Sequence, residues 1–115
     1  MSGQILGRHL LVELHDVVAT KLADPVLIEH VLREAASAAG ATVVFGHFHH
    51  FGPAQGVTGV LLLRESHISI HTWPEHSYAA VDVFMCGEAK PERAVEVMVR
   101  GLHVGKANIR DVARG

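Results

Sequence analysis

Val57-Thr58-Gly59-Val60-Leu61-Leu62-Leu63-Arg64-Glu65-Ser66-His67-Ile68-Ser69-Ile70-His71-Thr72 decides the fold of this chain. Val57 to Arg64 and Ser66 to Thr72 read as two strands with almost nothing between them, which spells a tight β-hairpin. Trp73-Pro74-Glu75-His76-Ser77 reads as the next turn, and Tyr78 to Phe84 as a further strand. Val60-Leu61-Leu62-Leu63 makes the hairpin look buried. Ser66, two histidines and the carboxylates Glu65 and Glu75 then stand out, because polar groups in a core are costly unless paired or used. On a regular strand His67, Ser69 and His71 share one face, and Ser66, Ile68 and Ile70 the other. A bulge or tight turn at Glu65-Ser66 would be needed to bring Ser66 to His71.

Outward from the hairpin, the pattern stays regular. Gly7 to His15, with Leu10-Leu11-Val12 inside it, reads as a first strand. Asp24-Pro25 reads as a helix cap followed by proline at the first helical position. Ile28, Leu32, Ala35 and Ala39 recur at helical spacing, and Gly40 supplies the stop. Ala41 to His49 is a second strand, and Phe51-Gly52-Pro53-Ala54-Gln55-Gly56 a loop. Pro91 to Leu102 is a second helix with Ala94, Val95, Met98 and Leu102 inward, and Ala107 to Ala113 can add a last strand. The expected fold is a two-layer α/β (α+β) sandwich over residues 1–115, with a mainly antiparallel sheet and two helices on one face. Two such helices cannot cover both faces of the sheet, so a homodimer formed through sheet or edge association is expected.

Composition narrows the function. The 115 residues are 49% hydrophobic and 19% charged, enough for one globular core. A net charge of −2 makes no electrostatic case for nucleic acid. No apolar run approaches the ~20 residues of a membrane span, and no signal-peptide pattern opens the chain. A single cysteine permits no intrachain disulfide, so a cytoplasmic location is expected. Ten histidines direct attention to metal or proton chemistry.

Three readings fit the polar set. His67, Ser69 and His71 can simply line a solvated sheet face, and Cys86 alone is an ordinary small core residue. His47-x-His49 and His67-x-Ser69-x-His71 can instead present imidazoles to a metal, as in a His-rich binding module, although the spacing fits no specific zinc pattern. The third reading is self-processing, and a resemblance carries it. Leu6-Gly7-Arg8-His9-Leu10, Phe48-His49-His50-Phe51, Gly56-Val57-Thr58-Gly59-Val60, Glu65 to Glu75, Tyr78-Ala79-Ala80-Val81-Asp82 and Cys86-Gly87 resemble, in order, the small prokaryotic S-adenosylmethionine decarboxylases.

The resemblance implies the fold of that family and a proenzyme that cuts itself between Glu65 and Ser66, giving a 1–65 β chain and a 66–115 α chain. It implies that Ser66 becomes a pyruvoyl group. That group would form a Schiff base with the substrate amine and replace pyridoxal phosphate as electron sink, with no metal. Thr58 is then the hydroxyl supporting cleavage, where serine is usual in the family, and His71 the processing base. Cys86 matches the family's proton donor, and an ordinary thiol is mostly protonated at neutral pH. Glu75 matches the residue that binds the ribose hydroxyls, while Phe51 and Leu6 match the apolar walls around adenine. The implied activity is decarboxylation of S-adenosylmethionine, supplying aminopropyl groups for spermidine synthesis. L-ornithine or L-arginine decarboxylation by the same machinery is the alternative.

Several positions depart from the family pattern. The Phe51–Gly56 loop is about one residue longer, beside the implied adenine wall. His50, Arg64, His76-Ser77 and Met85 also differ from the usual residues, and none of them belongs to the implied processing set.

Overall fold

A computed structural model describes residues 5–115. Its elements in chain order are β1 (Gly7–His15), α1 (Ala19–Leu22), α2 (Pro25–Ala38), β2 (Val43–His50), β3 (Val57–Leu63) and β4 (Ser66–Trp73). A 3-10 turn (Pro74–His76), β5 (Tyr78–Cys86), α3 (Pro91–Gly101) and β6 (Lys106–Arg114) follow. The strands form one sheet in the order β2-β3-β4-β5-β1-β6, and every neighbouring pair is antiparallel.

Alternation along the strands sets the layers. Leu10, Val12 and Leu14 of β1, Ile68 and Ile70 of β4, and Val81, Val83 and Met85 of β5 are buried beneath α2 and α3. The helices answer with Ile28, Val31, Leu32 and Ala35 from α2 and Ala94, Val95 and Met98 from α3. Each large apolar side chain so buried stabilises the fold by roughly 1.5–3 kcal/mol. α2 begins where the sequence predicts: the Asp24 carboxylate accepts from the Leu27 N–H at 3.1 Å, and Pro25 opens the helix. Arg8 pins the far edge, its guanidinium reaching Asp111 of β6 at 2.6 Å and Glu92 of α3 at 2.9 Å.

The expected sandwich of helices on one sheet face is present, with differences of detail. α1 is an additional turn of helix; it lasts four residues and has no side-chain cap. β2 starts at Val43 rather than Ala41, and β5 runs on to Cys86. The hairpin is half-buried rather than buried. Ile68 and Ile70 are fully enclosed, whereas Leu62 is 47% exposed on the other face.

One buried polar group joins the short helix to the hairpin. The Thr72 hydroxyl accepts from the Val57 N–H at 2.8 Å and donates to the Leu22 carbonyl at 2.7 Å. Gly56 lies against the same strand, where an added Cβ would meet the Thr72 carbonyl oxygen at 2.1 Å. Thr72→Val keeps the side-chain shape and strands two backbone groups away from water. It is expected to destabilise the protein by about 2–4 kcal/mol, read from the urea midpoint at constant slope.

Candidate active site

Residues not beneath the helices point to an open sheet face whose cross-strand rows follow from the registers. The first row is His49, Thr58, His71, Ala80 and Glu13. The second is His47, Val60, Ser69, Asp82 and Leu11, and the third is Phe45, Leu62, His67, Phe84 and His9. Beyond the third row, Gly7 pairs with Cys86.

At that end lies the β3–β4 turn. Leu63 pairs with Ser66, which leaves Arg64 and Glu65 as a two-residue connection. Glu65 takes φ 62°, a left-handed conformation that costs a non-glycine residue of order 1–2 kcal/mol. The Arg64 N–H is held by the Thr42 carbonyl at 2.9 Å, so the turn cannot simply relax. Cys86 lies across the same peptide. Its thiol donates to the Glu65 carbonyl oxygen at 3.1 Å, and its N–H donates to the Ser66 hydroxyl oxygen at 3.2 Å. These groups line a cleft of about 300 Å³ with Gly40, Thr42 and Glu88. Leu6, 71% exposed, adjoins this end beside Gly7 and Gly87.

At the other end, Thr58 Oγ1 and His71 Nδ1 share a hydrogen bond of 3.1 Å. They line a cleft of about 240 Å³ together with Phe51, Gln55, Trp73 and Glu75. Phe51 is 61% exposed and meets His49 edge-on, with ring centroids 4.6 Å apart. The implied residues therefore fall into two groups: Leu6, Glu65, Ser66 and Cys86 at one end, and Phe51, Thr58, His71 and Glu75 at the other.

One chain does not bring these groups together. The β3–β4 register is unbroken from Thr58–His71 to Leu63–Ser66, so no bulge turns Ser66 towards His71. The two stand five positions apart along the strand, about 17 Å. Within the chain, the donor on the Glu65 carbonyl is the Cys86 thiol, and Thr58 lies at the far end. His47, His49, His67 and His71 do share the open face, but no group of three or more His, Cys, Asp or Glu among the described residues is placed to hold a metal ion.

Two polar contacts on this face went unread in the sequence. His9 Nε2 lies 3.0 Å from Asp82, which the Ser69 hydroxyl also approaches. Tyr78 donates to Glu13, and its ring stacks on Trp73 at 5.4 Å. That hydrogen bond, with lesser help from burial, pushes the Tyr78 phenol up to about 12. Because the shift is upward from the phenol's ordinary value, the tether is intact throughout the neutral range and is lost only as pH climbs from about 10 to 12. A usable signal was present: Trp73 and Tyr78 bracket a short turn and so face each other across a strand pair.

Comparison with known proteins places this geometry. Residues 8–115 match the S-adenosylmethionine decarboxylase family. An S-adenosylmethionine decarboxylase proenzyme of Methanococcus aeolicus is 47% identical over 111 residues, covering 96% of this chain and 94% of its own. A proenzyme of the same description from Thermodesulfovibrio yellowstonii is 42% identical, covering 96% of this chain and 82% of its own. The crystal structure of the adenosylmethionine decarboxylase from Aquifex aeolicus superposes with a TM-score of 0.90 at 38% identity, covering 98% of this chain and 93% of that one. The family match over residues 8–115, the identity along nearly the whole chain and the shared fold together assign it: the chain belongs to the S-adenosylmethionine decarboxylase family.

Proposed function

We propose that this protein is a cytoplasmic, self-processing, pyruvoyl-dependent decarboxylase of S-adenosylmethionine that works as a homodimer. The observation that carries the reading is the Glu65–Ser66 peptide, held in a left-handed turn with the Cys86 thiol on its carbonyl oxygen. The Ser66 hydroxyl attacks the Glu65 carbonyl carbon, and the C–N bond gives way to an ester. Departure from the turn relieves the Glu65 strain, and the thiol stabilises the oxyanion that forms. Removal of the Ser66 Cα proton then expels the Glu65 carboxylate from Cβ. The dehydroalanine left behind tautomerises and hydrolyses to a pyruvoyl group and ammonia.

The residues present fit that group. Ser66 begins a strand, so the new terminus stays clamped by β3 and β5. When formed, the group supplies an electron sink for the carbon–carbon bond that breaks. Around it, Cys86 is placed to return a proton to the substrate, while Leu6 and Phe51 supply apolar walls. Glu75 can accept from two adjacent ribose hydroxyls at once.

In this reading His71, Phe51 and Glu75 come to Ser66 from a second copy, while Leu6 adjoins it in its own chain. A two-fold pairing of open faces, with strands running oppositely, sets the Thr58–His71 end of one protomer over the Ser66–Cys86 end of its partner. Exposed Phe45, Leu62 and Val112 on that face, at 56%, 47% and 41%, gain the cover they lack. One tautomer suits both roles at the Thr58–His71 hydrogen bond. With Nδ1–H donating to Thr58, the threonine O–H remains free for the oxyanion and Nε2 keeps its lone pair for the proton.

The deciding assay is carbon dioxide release from S-adenosylmethionine, L-ornithine and L-arginine in parallel, beside intact-mass analysis. Two chains and turnover of S-adenosylmethionine alone are expected; turnover of a basic amino acid alone would displace the substrate assignment. Cys86→Ala is expected to slow cleavage on the order of tenfold, since a thiol is a weaker donor than those worth 10²–10³, and to remove most turnover in whatever fraction is cut.

A further inference from the structure

A line of rings crosses the open face at the Thr58–His71 end. His71 tilts over Trp73 with centroids 6.1 Å apart and planes at 35°. Trp73 stacks on Tyr78 at 5.4 Å and 23°, and Tyr78 meets His15 at 5.2 Å and 30°. The far end is tethered, because the Tyr78 hydroxyl donates to Glu13. Trp73 is 38% exposed, so packing alone does not hold its plane.

This arrangement has an electrostatic consequence. Indole has the strongest negative face of the side chains, and a cation about 6 Å from its centre is attracted to it. His71 becomes a cation at one moment of the processing reaction, when it takes the Ser66 Cα proton. We propose that Trp73, held flat by Tyr78 and Glu13, is a positioning residue for self-processing: it orients the His71 ring and favours its protonated form. The inference rests on the self-processing reading and adds a residue to it.

Within its own chain, the surroundings of His71 leave this role to the indole. Thr58 on β3 is neutral and occupies Nδ1. His49 on β2 lies in the same cross-strand row, where a second cation would oppose the first. On β5 the row continues with Ala80, and on β1 with Glu13, whose carboxylate is engaged by Tyr78. Glu75 lines the same cleft and is the one other group there that would favour an imidazolium. Of these groups, Trp73 is the one whose ring meets the His71 ring.

Trp73 is the only tryptophan in the chain, so a fluorinated tryptophan added during expression alters this ring alone. Mono-, di- and trifluorination withdraws charge from the indole face stepwise with little change of shape. In the uncut Ser66→Ala protein, the His71 ring protons, assigned with His71→Gln, are titrated by NMR. The midpoint is expected to fall in steps to about half a pH unit below that of the unfluorinated protein. In the chain with Ser66 intact, the rising limb of the cleavage pH profile should move to lower pH by the same amount while the plateau drops. Glu75→Gln provides the contrast, because fluorination should still move the midpoint in that background. A midpoint indifferent to fluorination overturns the inference. If the unfluorinated chain with Ser66 intact never cleaves, self-processing falls instead, and the titration still decides the part played by Trp73.

Discussion

Ser66→Ala is expected to give a folded chain that stays whole at 115 residues and releases no carbon dioxide from any substrate. The substitution removes one oxygen. That oxygen is the proposed nucleophile, and among the described residues no other side chain adjoins the Glu65 carbonyl carbon in its place: the Cys86 sulfur reaches the Glu65 carbonyl oxygen, not from the adjoining residue but across the sheet. The structural cost is small, because the lost partner is a single hydrogen bond from the Cys86 N–H, worth about 1 kcal/mol. Intact-mass spectrometry after prolonged incubation checks the result, with the wild type expected as two chains, 1–65 and 66–115. His71→Ala separates the two chemical stages. The ester can still form but its elimination stalls, so hydroxylamine should cut His71→Ala at Glu65 and leave Ser66→Ala untouched. Cleavage of Ser66→Ala would remove the acyl shift from the mechanism.

The second large effect concerns two inactive proteins that restore each other. Ser66→Ala keeps a sound Thr58–His71 end, and His71→Ala keeps a sound Ser66–Cys86 end. If each site is built across two copies, a mixed dimer contains one complete site and one doubly broken site. Co-expression should recover cleavage at about one site in four, given random pairing. If each site lay within one chain, the mixture would stay uncut. The distance of about 17 Å along β4 favours the first outcome, because no side chain spans it. Only the chain carrying His71→Ala should appear as two pieces, which tagged versions resolve on a gel.

The elements were legible where a repeating pattern reports them. The period of two in Ser66 to Thr72 and the helical spacing of Ile28, Leu32 and Ala35 each encode one buried face, and both faces are buried as read. α1 left no such mark, because four residues hold barely one turn and Val18 offers no capping side chain. The candidate site residues could be named from the sequence, but their layout could not. Ser66 and His71 stand five positions apart in sequence, close enough to suggest contact, yet a strand is stiff and keeps them at its two ends. Contacts such as His9 with Asp82, 73 positions apart, depend on which strands become neighbours, and local pattern does not carry that information. The Tyr78–Glu13 tether was missed for the same reason, with 65 positions between its partners.

The Arg64–Glu65 turn has a further consequence for how the protein can be rebuilt once it has matured. In the precursor it makes β3 and β4 the nearest of neighbours along the chain, so their pairing closes the smallest possible loop. Such local pairs form early and cheaply in folding. The proposed cleavage at Glu65–Ser66 would erase that advantage while leaving the β3–β4 pairing in place. The native arrangement persists because β1 of the longer piece pairs with both β5 and β6 of the shorter one. Unfolded, however, the two pieces are separate molecules that must meet by diffusion. The mature enzyme is thus expected to refold at a rate set by its concentration, whereas the precursor folds as one connected chain. The same hairpin that assembles the protein once cannot assemble it again.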